Sequence, residues 1–146
     1  MELSEALPGA VKQVFGEMFF TFVSEAARGG DGEGKPFAVE SEIGFKGDRS
    51  GRMRLVFSQR LAEQLAANLV GVDPAVLNEG EIIDAVKEAA NILCCNLLMQ
   101  AGVQTSEVSI PVARPFEAAT AEAEGDTFEF EAEGEPLRVV IRLEDA

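Results

Sequence analysis

The chain has 146 residues, 15.6 kDa, 47% of them apolar and 26% charged, which fits one globular domain and excludes a multidomain enzyme, a fibrous protein and a disordered one. Lys and Arg number 12 against 26 Asp and Glu, a net charge of −14 that repels phosphate backbones and anionic lipid, so neither nucleic acid nor membrane insertion is expected. Histidine is absent, which removes Ser-His-Asp and Cys-His triads and the HExxH zinc site and leaves any chemistry to carboxylates, amides or a partner's groups.

From Pro8 to Ala27 the residues Val11, Val14, Phe15, Met18, Phe19, Phe22 and Val23 recur at helical spacing, predicting a long amphipathic helix with Pro8 in its first turn. The Gly-rich run from Gly29 to Pro36 breaks that periodicity and reads as a surface loop, since its Asp-Gly-Glu-Gly lacks the further ligands of a calcium loop. Alternating runs from Phe37 to Phe45 and from Arg52 to Phe57, joined by Gly47-Asp48-Arg49-Ser50-Gly51, predict a hairpin. Ser58 is the expected N-cap of a helix through Leu61, Leu65, Leu69 and Val70 that Gly71 stops. Asp73-Pro74 opens a short turn, and Asn78 with Glu81 forms a capping box at the start of a helix running roughly from Glu79 to Ala101. Three strands follow, Glu107 to Val112, Thr127 to Ala132 and Leu137 to Leu143, with the Ala/Glu-rich stretch from Phe116 to Gly125 as a loop or loose edge of no evident role. This order implies an α+β domain, an antiparallel sheet with long helices packed on it, spanning residues 1–146. The N-terminus lacks the features of a secretory signal and the adjacent Cys94 and Cys95 could bridge only under strain, so a reducing cytoplasm is the expected compartment.

The long helix carries two stripes. At 100° per residue Ile82, Ile83, Val86, Ala89, Ala90, Leu93 and Leu97 fall on one side, the expected core face. Asp84, Glu88, Asn91 and Cys95 fall on the other, with Glu81 and Leu98 at its margins. A row of acids opposite an apolar face is what any solvated helix shows. Against that, Asn91 is a poor mid-helix residue, worse than Ala, Glu or Lys by ~0.5 kcal/mol, and Cys95 and Leu98 extend the stripe with apolar surface as a docking face would. Cys94 falls toward the core side, and two thiols without histidine make a poor zinc site.

Asp84-x3-Glu88-x2-Asn91, followed by a proline in Val108-Ser109-Ile110-Pro111, resembles the signature of the CheC/CheX/FliY family of chemotaxis phosphatases, its single-unit CheX branch in particular. Gly44 to Asp48 with Gly51 to Ser58 resembles that family's hairpin, and Ile83 to Ile92 its helix; one copy of the signature is present. The resemblance implies hydrolysis of the aspartyl phosphate on a CheY-like response regulator. The partner would supply Mg²⁺ and a Lys, Asn91 would hold the attacking water in line and Glu88 would pair with that Lys, so no cofactor of the chain's own is expected. Glu81, Asp84, Cys95 and Leu98 would be partner contacts, although Asp84 is equally an ordinary acid favoured near a helix start. Pro111 would be structural, limiting strand pairing, and the chain a homodimer joined through sheet edges. Two other readings stand beside this one: a non-catalytic module docking a receiver or flagellar-switch protein through the same helix, and a plain structural domain.

Overall fold

The computed structural model describes residues 2–26, 35–117 and 125–144; most of the expected Gly-rich and Ala/Glu-rich loops lies outside them. In chain order the elements are helix α1 (Leu3–Met18), strands β1 (Val23–Glu25), β2 (Phe37–Gly47) and β3 (Gly51–Ser58), helix α2 (Gln59–Val70), a 3₁₀ turn (Pro74–Val76), helix α3 (Glu79–Gln100), and strands β4 (Thr105–Val108), β5 (Val112–Pro115), β6 (Asp126–Ala132) and β7 (Glu135–Leu143). The strands form one antiparallel sheet in the order β1-β6-β7-β3-β2, and β4 and β5 share the free edge of β2. This is the α+β architecture that the element order predicts.

Strand alternation decides which sheet face meets the helices. Val39, Ile43 and Phe45 of β2, Met53, Leu55 and Phe57 of β3, and Leu137, Val139 and Ile141 of β7 are buried on one face with Leu7, Val11 and Phe15 of α1, Leu61 and Leu65 of α2, and Val86 and Leu93 of α3. The other face carries charge. Glu40, 2% exposed, accepts from Arg114 Nη2 at 2.9 Å with Arg54 Nη1 at 3.7 Å, and Arg138 lies over the Phe37 ring, 4.8 Å from its centre.

Two elements depart from the predicted ones. Helix α1 begins five residues earlier than Pro8, at Leu3, where the Glu5 carboxylate accepts from the Glu2 N–H (3.4 Å). Pro8 therefore stands inside the helix, and the carbonyl it cannot bond is that of Ser4, an exposed residue open to water. The helix also ends earlier, at Met18, because the next five residues, Phe19 to Val23, alternate buried and exposed and lead into β1. Five β-formers in succession were the signal, hidden by Phe19, Phe22 and Val23 also matching a helical period. The second departure is the strand predicted from Glu107 to Val112, which is two short strands with a break at Ser109–Pro111. There the Ser109 N–H donates to Gly44 O, and the Gly44 N–H donates to Ser109 Oγ, both at 2.8 Å, so a side chain replaces the backbone acceptor that regular pairing would supply.

One buried carboxylate ties the end of β3 to the start of β7, at one end of the sheet. Ser58 Oγ caps α2 by accepting from the Leu61 N–H (3.1 Å) and donates to Glu135 Oε1 (2.7 Å), whose other oxygen accepts from Lys35 Nζ (3.0 Å). Burial pushes the Glu135 carboxyl up, but the Ser58 and Lys35 hydrogen bonds and the charges of Lys35 and Arg60 outweigh it and hold the group below its ordinary value. A folded-state value lowered in this way stabilises the fold above the unfolded-state value and loses that contribution as pH falls through the folded one. Glu135→Gln is thus expected to cost about 1–3 kcal/mol at neutral pH. In urea melts run at successive pH values the gap to wild type should close below the ordinary glutamate range; a pH-independent gap would contradict this.

Candidate functional site

Helix α3 starts on the expected reciprocal cap: the Glu81 N–H donates to Asn78 Oδ1 (2.8 Å) and the Asn78 N–H to Glu81 Oε1 (3.0 Å). It ends on a fold-back in which Gly102, φ 73°, lets the Val103 N–H reach Leu98 O (2.9 Å) and the Gly102 N–H reach Met99 O (3.1 Å). Between these ends Ala85, Val86, Ala89, Ala90, Leu93, Cys94, Leu97 and Leu98 are buried, while Ile82 and Ile83, placed on the core face by periodicity, are only partly covered.

At 3.6 residues per turn Asp84, Glu88, Asn91 and Cys95 fall within a sector of about 60°. Asp84, Glu88 and Cys95 are exposed and Asn91 is half-buried. Neither Glu88 nor Asn91 has a hydrogen bond or ion pair to another described residue, so a carboxylate and an amide one turn apart face outward with unused acceptors and donors.

The margins of the stripe differ from expectation. Leu98, read as a partner contact, is 3% exposed: the fold-back after Ala101 brings Val103 onto the same apolar cluster and draws Leu98 into the core. Met99, which periodicity places beside Glu88 and Cys95 and which the sequence reading passed over, is exposed instead. Glu81 is half-buried, its carboxylate engaged in the cap. Pro111 is half-buried in the break between β4 and β5.

Both cysteines are free, Cys94 buried and Cys95 exposed. Burial first, and the neighbouring Cys95 second, push the Cys94 thiol up to about 12, so it behaves as a packing residue. Among the described residues no cluster of three His, Cys, Asp or Glu is placed to hold a metal, and no helix is long and apolar enough to cross a membrane.

The model of the family described as chemotaxis phosphatase CheX matches residues 39–127, more than half of the chain, a span that holds the β2–β3 hairpin, α2, α3 and the break at Pro111. The chain belongs to the CheX family. CheX from Vibrio vulnificus has a similar structure, with a TM-score of 0.76 at 22% identity over 99% of this chain and 100% of that one. CheX from Desulfovibrio desulfuricans gives 0.76 at 14% identity over the same shares, 99% and 100%. A CheX-CheY-BeF3-Mg²⁺ complex from Borrelia burgdorferi gives 0.71 at 16% identity, covering 99% of each chain. At these identities the likeness is one of fold. No curated protein matches the chain in sequence.

Proposed function

We propose that this CheX-family protein binds a phosphorylated CheY-like receiver domain and speeds hydrolysis of its aspartyl phosphate, with Glu88 and Asn91 entering the receiver's site. The observation that carries the reading is the exposed Glu88 beside Asn91 on the outer side of α3, neither engaged by another described residue. Family membership and the Borrelia burgdorferi complex, in which a CheX holds a CheY with BeF3 and Mg²⁺, support the choice of partner.

The chemistry asked of the chain is small. An acyl phosphate is already reactive, and water attacking phosphorus need only displace the aspartate carboxylate in line. On this reading the receiver's Mg²⁺ and Lys neutralise charge on the phosphoryl oxygens. The Asn91 amide accepts a hydrogen bond from the water and aligns it, the half-buried position limiting the rotamers that must be frozen. Glu88 pairs with the Lys and sets the depth at which α3 docks. The homodimer belongs to the same reading, with β1 and the β4/β5 rim as the sheet edges open to a second copy.

Mixing the chain with phosphorylated CheY-type receivers and Mg²⁺ and following phosphate release tests the reading. Release well above the receiver's own rate supports it. Tight binding without acceleration would instead favour a docking module, and neither binding nor acceleration a structural domain.

A further inference from the structure

The link between α1 and β1 is built in a way that packing does not require. Phe20 has a left-handed backbone, φ 52°, yet its side chain is 72% exposed, and Phe22 is 78% exposed. That conformation is unfavourable for a residue with a β-carbon and is taken more readily by Gly or Asn. The backbone beneath the two rings is clamped. Thr21, fully buried, donates its hydroxyl to Phe19 O (2.9 Å) and its N–H to Phe15 O (2.9 Å), and Asn68 Nδ2 donates to the same Phe19 carbonyl (2.8 Å). Met18, Leu69, Val70 and Val72, on the two segments that the Asn68 bond ties together, are exposed as well. Strain and a buried polar clamp together hold two rings in water, where they contribute no burial energy.

Position and charge indicate what covers them. Helix α1 runs antiparallel to α3: Glu2, at its start, pairs with Arg49 (3.2 Å), whose neighbour Asp48 accepts from the Gln104 N–H just beyond the end of α3 (3.2 Å), and the C-terminal end of α1 is tied through Asn68 to the end of α2, which leads by residues 71–78 into the first turn of α3. The aromatic segment therefore lies toward the half of α3 that carries Asp84 and Glu88. Residues 12–27 and 60–88, the segments forming the patch and the half of α3 that carries Asp84 and Glu88, contain eight acids against three bases, Lys12, Arg60 and Lys87, with Lys12 already paired to Glu25 (3.7 Å). A second copy would set like charge against like, whereas a partner with an apolar pocket inside a basic rim is complementary. With Leu98 buried, the stripe's apolar surface is limited to Cys95 and Met99, and charged contacts give specificity more than affinity.

We propose that Phe20 and Phe22 are the apolar anchor by which the chain grips the receiver domain, seated in a basic-rimmed pocket of the receiver beside the site that Glu88 and Asn91 enter; the identity of the partner rests on the phosphatase reading of α3. The rings supply affinity, and the clamp beneath them lowers the entropy lost on docking.

The full-length chain is titrated with CheY-type receivers loaded with BeF3 and Mg²⁺, melted, and assayed for dephosphorylation. Phe20→Asn, and the double variant Phe20→Asn with Phe22→Ser, should raise Kd about tenfold or more, the range of aromatic anchors at interfaces, with the loss appearing in KM rather than kcat. Their Tm should hold or rise, because Asn relieves the left-handed strain. An unchanged Kd beside intact acceleration by the wild type would overturn the anchor and leave the phosphatase reading standing. Lost binding in the variants of a wild type that binds but does not accelerate would keep the anchor and sink the phosphatase. A Tm lower by roughly ten degrees or more would make the rings structural and overturn the proposal. So would self-association abolished by the substitutions, which would put a second copy in the pocket's place. A wild type that binds no receiver would overturn both readings.

Discussion

Asn91→Ala is expected to remove most of the acceleration of receiver dephosphorylation, a loss of about 10²-fold or more, the scale on which misplacing one reacting group acts. The fold should not notice. Asn91 has no hydrogen bond to another described residue, and alanine is the better helix former by ~0.5 kcal/mol, so Tm should be unchanged or slightly higher. Glu88→Ala removes the group that sets docking and should weaken binding along with the rate. A melt beside a stopped-flow trace of phosphate release separates the two effects. Asn91→Ala retaining wild-type rate would refute the assignment of the water-positioning role, whatever happened to binding.

The largest effect on stability is expected at Phe57. Its ring is fully buried on β3, between Val39 of β2 and Leu137 of β7, at the join of the two hairpins. Phe57→Ala removes the ring from a layer that helices cover on one side only, with no neighbouring element free to fill the gap. The cost should be about 3–5 kcal/mol, a large part of the 5–15 kcal/mol typical of a domain this size. At roughly 3 °C per kcal/mol the melt would fall by about 10–15 °C. A fall under about 1 kcal/mol would mean that the core relaxes around the void. Because the site lies on the opposite side of α3 from the core, any variant still folded at assay temperature should keep its kcat.

How far the sequence could be read depended on whether local signals competed. In α2 and α3 the caps and the apolar period agree: Ser58 and Gly71 bound one helix, Asn78 and Glu81 start the other, and the structure follows, with the reversal at Gly102 ending the second. The same agreement made the outward pairing of Glu88 with Asn91 legible, since a helical period alone places both opposite Val86 and Leu93. In the segment from Phe19 to Val23 the signals conflict, because aromatic and β-branched residues satisfy a helix period and a strand period at once; tertiary pairing of Val23 with Ala132 settles it for the strand. Leu98 was misplaced for another reason. Its angle on the helix suits the stripe, but the chain reversal at Gly102 covers that angle from outside the helix, and no property of residues 79–100 alone encodes it. The break at Ser109–Pro111 likewise depends on Gly44, 65 residues away, offering its N–H to a serine hydroxyl.

Glu88 lies nine residues from the first residue of α3 and Asn91 nine from the last, so each is about 14 Å from the nearer helix end. Helices open from their termini inward, and here both termini are tied, one by a side-chain cap and the other by a glycine reversal. The amides of the central turn should therefore be among the last in α3 to exchange with deuterium. A partner docking there meets a rod that does not unravel under load, and the ordering of those residues is already complete before the encounter.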